Sequence, residues 1–415
     1  MTAASEVADA GAPEMPAALR PPAWLRLVTG AGLTLWVVVA MFPLVWTAVM
    51  SFRVPIDALS SHPLDVVLGP ATQAAGGGLS VLDLGLGAAA VLALYRLPGR
   101  FGARAAAALA PGGVRPLGWV LTARAYAVLL AGVLLVALPA GAGALDRLLG
   151  ELPLLGGLAR PVVGVTLEHY RAVWIEHAFY RNFENSMIVT AGVVGVSLTV
   201  GTLAGYGLAR AGGSLAFWLL MLALVFRALP HSVLVTGYVP VFLDSRDLLA
   251  PLWAAPGLGW LLHLVSAEPP TLYGHKLAVI VVLVSINQPF TIWMMRSFFD
   301  GIPTELDEAA RVDGCSHLGA FWRVIMPVMW PGVVTTGLFA FLLAYNDYLV
   351  TSLLLDAQSQ TMVPAIAQFL NRDTRASDQI EAIAAAVSIT APLFLLVMLF
   401  QRQIVSGLTQ GAVKG

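Results

Sequence analysis

The groups in this chain that could do chemistry are few, and their spacing limits what chemistry is possible. Glu305, Asp307 and Glu308 stand together behind Pro303 and Thr304. Arg227 sits alone inside an otherwise uncharged run, and Asn287, Asn346 and Asp347 lie in or beside apolar segments. None of these sets has the makeup of a catalytic centre. His62, His169, His177, His231, His263, His275 and His317 offer no pair at ligand spacing on a helix beside an acid, the arrangement a zinc site requires. Cys315 is the single cysteine, which excludes a disulfide framework and a cysteine-cluster metal site. The two lysines, Lys276 and Lys414, precede Leu277 and Gly415, so no Gly-Lys-Ser/Thr phosphate loop exists. The expectation is a non-catalytic chain that binds no metal or cofactor itself. If nucleotide drives it, ATP and Mg belong to another chain.

The elements carrying these residues are expected to be membrane helices. The 415 residues are 58% apolar and 11% charged, and the mean hydropathy is +0.80. A soluble domain is about 25% charged, and a globule of this size cannot hide such an excess of apolar side chains. The net charge of −1 gives no field to attract a polyanion, so a nucleic-acid partner is not expected. Crossing the hydrocarbon takes about 20 apolar residues. Leu27–Met50, Asn185–Ala209, Leu277–Met295, Val324–Tyr345 and Ala382–Phe400 satisfy this, as does Ala211–Leu243 with Arg227 in its middle. A charge at mid-bilayer is costly, so Arg227 must face the bundle interior, a water-filled cavity or an acidic partner. It reads either as a gate or as a structural arginine bonding helix ends freed by Pro230. Asn287 reads likewise as a pathway residue or as an amide satisfying a carbonyl freed by Pro289. Asn346 and Asp347, placed well along the fifth core helix, could meet solute hydroxyls or serve packing.

The fold class is therefore all-α integral membrane, with six core spans and an extra helix pair inserted after the first. The extra pair is Leu79–Tyr95, short, glycine-rich and carrying Asp83, and the uncharged Ala125–Leu145. The alternative places residues 79–124 along the membrane surface. Residues 1–23 are a polar, disordered, cytoplasmic N-terminus. Residues 24–60 hold the first core span, and 61–160 the insertion. Residues 161–405 hold the other spans with a loop at 300–328, and 406–415 form a cytoplasmic tail of low helical propensity. No positive stretch precedes the first apolar run, which is too long for a signal peptide. Arg96, Arg100, Arg104, Arg115 and Arg124 make the most basic loop, with no acid among them. The positive-inside rule places that loop, both termini and the 296–323 segment in the cytoplasm.

The densest information lies in Ile302–Pro331. Pro303 ends one element and Thr304 is a suitable N-cap. Glu305, Asp307 and Glu308 fill the first turn, where the helix dipole favours acids. Ala309 and Ala310 continue a short helix, which Gly314 can stop with φ > 0. A second short helix runs to about Ile325, and Pro327 and Pro331 mark the entry to the next span. On the residues alone, this short helix is either a projecting knob that lets a partner approach its backbone or a capped interfacial helix with no partner.

Glu308-Ala309-Ala310, Gly314 four residues on, and Ile325-Met326-Pro327 resemble the EAA motif of ABC-importer permeases. The resemblance implies a type I importer fold. It also implies a coupling helix, made of Glu308, Ala309, Ala310, Asp313 and Gly314, that docks in a cleft of a cytoplasmic ATPase subunit. Pro303, Thr304 and Pro327 would support it. Thr166–Tyr170, Asn185-Ser186, Tyr206–Arg210, Tyr345–Tyr348 (with Tyr345 in place of Trp) and Gly407–Gly415 resemble the carbohydrate branch, the maltose- and trehalose-type permeases. The partners implied are two ATPase subunits, a second permease, an extracytoplasmic solute-binding protein, the inner-membrane bilayer and a sugar or polyol. The tail residues Gln410, Gly411 and Lys414 would reach the ATPase interface. The resemblance covers roughly residues 24–60 and 164–415. It leaves out 65–160, and the loop around 245–275 is longer than usual. The rival readings are an importer of a non-sugar solute, an ion-coupled secondary transporter, and a membrane scaffold without transport.

Overall fold

In hydrocarbon every backbone N–H and C=O must find its partner within the segment, so long apolar runs become helices. The computed structural model describes residues 22–75, 78–81, 83–85, 87–89, 161–211, 213–228, 231–264, 266–371 and 375–412. The predicted span Ala125–Leu145, the end of Leu79–Tyr95, the N-terminal segment before Pro22 and Lys414 lie outside the described residues. The chain opens with α1 (Ala23–Ser51), followed by the short α2 (Pro55–Ala58), α3 (Pro63–Leu68) and α4 (Pro70–Ala74), and by β1 (Leu79–Ser80). After β2 (Pro161–Val163) come α5 (Glu168–Arg171) with a π-helical turn at Ala172–Glu176, α6 (Phe179–Ala211), α7 (Gly213–Ala228) and α8 (His231–Leu243). Next are α9 (Ser245–Trp253), α10 (Leu258–His263), α11 (Lys276–Phe299), α12 (Glu305–Val312) and α13 (His317–Ala320), the last with a π-helical turn at Phe321–Ile325. The remaining helices are α14 (Met326–Tyr345), α15 (Leu349–Leu354), α16 (Met362–Asn371) and α17 (Ala376–Ala412).

Among the described residues, five helical segments are long and apolar enough to cross a membrane: Leu27–Ser51, Phe179–Ala211, Lys276–Phe299, His317–Tyr345 and Ala376–Val397. They match five of the six predicted core spans. The sixth, Ala211–Leu243, consists of α7 and α8, of 16 and 13 residues. The residues between them, 229 and 230, lie outside the described residues. The C-terminal segment also departs from expectation. Gly407 and Gly411 fall within α17, which runs unbroken to Ala412. Each added helical residue fixes one more hydrogen bond, so a long helix propagates through weak formers.

α6 and α11 form the closest pair. A Cβ built on Gly201 would lie 2.4 Å from Thr291 Cγ2, and one on Gly205 2.8 Å from Met295 Cβ. These two glycines, four residues apart, let the backbones approach as small residues do between membrane helices. Val189, Val193, Val282 and Leu283 fill one end of this interface, and Met295, Phe299, Phe321 and Ile325 the other. α17 closes the bundle against α14 and α1.

Past the end of α1 the chain ties itself into a polar knot. Arg53 is 4% exposed, and its guanidinium donates to the carbonyls of Val66 (2.7 Å), Val67 (2.5 Å) and Gly164. The Asp57 carboxylate accepts from Ala71 N (3.1 Å) and Thr72 N (2.6 Å), capping the start of α4. Burial pushes the His169 imidazole below its usual pKa, and its Nε2 lies 3.0 Å from the Arg53 carbonyl. A carbonyl only accepts, so Nε2 carries the proton. Arg53→Met keeps the aliphatic stem and strands three carbonyls, at about 1–3 kcal/mol each where buried. The expected result is much faster amide exchange across residues 54–75 with the membrane bundle unchanged.

β1 and β2 pair antiparallel, with Leu79 opposite Val163. This corrects the first predicted extra span at its start, because Leu79 and Ser80 are strand, not helix. The described residues from 81 to 89 are helical, as expected, and Asp83 is buried in their first turn, where it caps the helix start. Its Oδ2 accepts from Ser80 N (3.0 Å), and Ser80 Oγ accepts from Asp83 N (3.2 Å). The strand pair also means that the chain between its two strands leaves and rejoins the fold at one place.

Candidate functional site

The loop after α11 is built around α12. Thr304 occupies the N-cap position, but its side chain makes no capping bond and its backbone is already helical (φ −66°, ψ −22°). The predicted side-chain cap is thus absent. The Thr304 carbonyl instead accepts from Asp307 N and Glu308 N. Glu305, Asp307 and Glu308 occupy the first turn as their spacing indicates. At the other end, Gly314 takes φ +87°. Gly314 N donates to the Arg311 carbonyl and Cys315 N to the Ala310 carbonyl, both at 3.0 Å. These are the two bonds of a Schellman termination, which needs a left-handed residue at this point. Ser316 Oγ then accepts from Gly319 N at 3.1 Å and starts α13. Pro327 lies just after the π-helical turn at Phe321–Ile325, near the start of α14.

Glu308, Ala309, Asp313 and Gly314 are exposed, whereas Ala310 is buried against the bundle. The five predicted docking residues therefore do not share one surface, and Ala310 anchors the helix. Val312, at 87% exposure, projects beside them, and Leu318 and Trp322 are also exposed. Sequence reading, guided by the acids and alanines, missed these three apolar side chains. Their only signal is that large apolar residues recur on a polar loop.

The loop is clamped from a distant part of the chain. Arg210, at the end of α6, donates from Nε to Asp307 Oδ2 at 2.8 Å and from its two terminal nitrogens to the carbonyls of Phe299 and Ile302 at 3.3 Å. Tyr206 Oη donates to Asp307 Oδ1 at 2.7 Å, and its ring packs on Phe299 and Phe321. Arg210 and Asp307 are 17% and 14% exposed. One carboxylate thus joins α12 to α6, while the arginine fork holds the end of α11.

The predicted pathway residues are not brought together. Arg227 lies in the last described turn of α7, with its guanidinium 4.8 Å from the centre of the Phe290 ring. Its Nη1 is buried without a hydrogen-bond partner among the described residues. Asn287, 1% exposed, donates to Thr291 Oγ1 at 3.0 Å within its own helix. That bond runs forward along α11, not back to the carbonyl freed by Pro289. Asn346 and Asp347 lie past the end of α14, not along it. Asn346 Nδ2 donates to the Leu342 carbonyl, and Asp347 Oδ1 accepts from Thr351 N to start α15. Tyr345 is buried against α17, donating to the Ile389 carbonyl at 2.7 Å. Of the tail candidates, Gln410 and Gly411 fall in α17.

A bundle of five apolar helices, each long enough to cross a bilayer, with a clamped, acid-tipped helix on one face, defines the class of multi-pass membrane proteins. The chain is a member of the binding-protein-dependent transport system inner membrane component family, whose profile matches residues 197–410. It is 33% identical over 259 residues to the diacetylchitobiose uptake system permease protein DasC of Streptomyces coelicolor, covering 60% of this chain and 82% of that one. It is 31% identical over 253 residues to the trehalose transport system permease protein SugB of Mycobacterium tuberculosis, covering 60% and 83%. It is 27% identical over 251 residues to the maltodextrin transport system permease protein MdxG of Bacillus subtilis, covering 60% and 81%. The chain is thus the permease component of a binding-protein-dependent transport system in the inner membrane.

Proposed function

We propose that this chain is half of the membrane gate of an ATP-driven importer for a carbohydrate or polyol. Two ATPase subunits dock on the cytoplasmic side, one at the exposed Glu308–Gly314 face of α12 and the other at the matching loop of a second permease. A soluble binding protein delivers solute from the other side, and both termini lie in the cytoplasm. The observation that carries this reading is the α12 termination, which holds Ala309, Asp313 and Gly314 exposed on a helix fixed to the bundle through Asp307. The carbohydrate assignment rests on relatives named for maltodextrin, trehalose and diacetylchitobiose. Conformational work enters as differential affinity of ATPase states for two arrangements of the permease. This chain's own residues bind, brace and move, and Glu308, Ala309, Asp313, Gly314 and Val312 form the contact. Arg227, braced on Phe290, is placed to shift when α7 moves against α11.

The test is reconstitution of the purified complex with its ATPase and binding protein in vesicles. Uptake should require ATP inside and persist when an uncoupler dissipates the proton gradient while ATP is held constant. Collapse with the uncoupler alone would make it an ion-coupled carrier. Thermal-shift screening of the binding protein against sugars, polyols and amino acids identifies the solute class, and a shift with amino acids alone would overturn the carbohydrate assignment.

A further inference from the structure

The long loop between α8 and α11 plays no part in the mechanism above, yet it is folded. α9 and α10 make a helical hairpin whose tip turns at Gly257, which takes φ +86°. Ser245 Oγ donates to the Phe242 carbonyl and accepts from Leu272 N, both at 2.7 Å, so the two feet of the hairpin are tied together. Trp253 Nε1 donates to the Ser266 carbonyl at 3.1 Å, and Arg246 pairs with Glu268. Gly274 N donates to the Leu354 carbonyl at 2.8 Å, which pins the returning strand just before α11 begins.

The hairpin presents large apolar side chains that are left exposed among the described residues. Leu248, Leu252, Leu258, Trp260, Leu261 and Leu264 are all exposed, Trp260 at 70% and Leu264 at 68%. Neither helix can span a membrane, at 9 and 6 residues. A single residue, Asp244, separates α8 from the hairpin, and the last turn of α8 itself exposes Val241 and Leu243. The apolar surface of the membrane segment therefore continues onto the hairpin without a break. The charged residues Arg246, Asp247 and Glu268 cluster at its feet, and the apolar residues occupy its length. Standing upright, α9 would hold its tip about 14 Å from the helix ends, beyond the headgroups and with its leucines in water. Lying down, it places a tryptophan among leucines at headgroup depth, where such rings are enriched.

We propose that the α9–α10 hairpin is a lipid-surface anchor. It lies in the interfacial layer on the membrane face opposite α12, with its six large apolar side chains toward the acyl region and its charged feet in the headgroups. It fixes the depth of α8 and α11, the two helices it joins. The inference does not depend on which solute is carried.

The test uses single nitroxide labels at Trp260→Cys, Leu264→Cys and Leu252→Cys, with Arg246→Cys as the reference, all in a Cys315→Ser background. The chain, in the complex with which it purifies, is placed in nanodiscs of phosphatidylcholine and phosphatidylglycerol. Power saturation then compares accessibility to oxygen, which concentrates in lipid, with accessibility to a water-soluble nickel chelate. The ratio of oxygen to nickel accessibility should be at least about fivefold higher at 252, 260 and 264 than at 246. High nickel accessibility at all four positions would mean a hairpin standing in water. Low accessibility to both reagents would mean that protein, not lipid, covers the face. Either result overturns the proposal, and agreement between labels on α9 and α10 guards against one misfolded variant.

Discussion

Arg210→Ala is expected to cut solute uptake more than tenfold while leaving the ATPase bound and hydrolysing ATP. The reason lies in what the guanidinium joins. It holds Asp307 of α12, the end of α11 and the end of α6 at one point, with Tyr206 as a second donor to the same carboxylate. A charge-assisted hydrogen bond in so sheltered a pair contributes about 1.5–3 kcal/mol. Losing about 2 kcal/mol shifts the ratio of clamped to free α12 by roughly thirtyfold. Motion imposed on α12 would then reach α11 and α14, to which it is covalently joined, but not α6. Arg210→Lys keeps the charge but loses the fork, so uptake should fall to an intermediate level. Asp307→Asn retains an acceptor for Tyr206 but removes the ion pair, and should resemble Arg210→Lys. The measurement is uptake against ATP hydrolysis in the same vesicles, with the amount of permease in the membrane as control. Normal uptake in Arg210→Ala would dismiss the clamp. Loss of the ATPase from the complex would show that Arg210 shapes the docking face itself and does not transmit its movement.

That clamp marks where sequence reading stopped. Hydropathy located five membrane helices because transfer into lipid depends on composition, which is local. The end of α12 was legible because Gly314 is the residue type that can adopt φ > 0 and satisfy two terminal carbonyls. The Tyr206–Arg210 segment was recognised only as the end of a span. Its partner Asp307 is 97 residues away, and no periodicity connects them. Asn346 and Asp347 were misplaced for a related reason. The apolar count runs up to Tyr345, and whether an amide beyond it lies in the helix depends on the turn it caps. Leu79-Ser80 reads as the start of an apolar run, and only its pairing with β2, which the sequence keeps far away, makes it a strand.

The second large effect is expected at Gly314, where two roles can be separated. A Cβ at this position meets nothing within 4 Å, so substitution creates no collision inside the chain. The cost is conformational, because a left-handed residue with a side chain is disfavoured by about 1–2 kcal/mol, least for Asn and Asp. If Gly314 only ends α12, Gly314→Asn should support nearly full uptake and Gly314→Val should fail. If a partner instead approaches the backbone there, Gly314→Asn and Gly314→Asp should fold, reach the membrane and still lose at least about tenfold in uptake, because the new side chain occupies the contact. Glu308→Lys probes the same face by charge. The residue is exposed in the first turn, so reversal costs the helix only about 0.3–1 kcal/mol through its dipole. A loss of uptake far beyond that, accompanied by loss of ATPase from the purified complex, assigns the effect to docking. The contrast with Arg210→Ala is the decisive comparison. Variants at Gly314 and Glu308 should release the engine, whereas the Arg210 variant should keep it attached and running without transport. If all three release the ATPase together, α12 and its clamp form one docking surface, and the division of labour argued here is wrong.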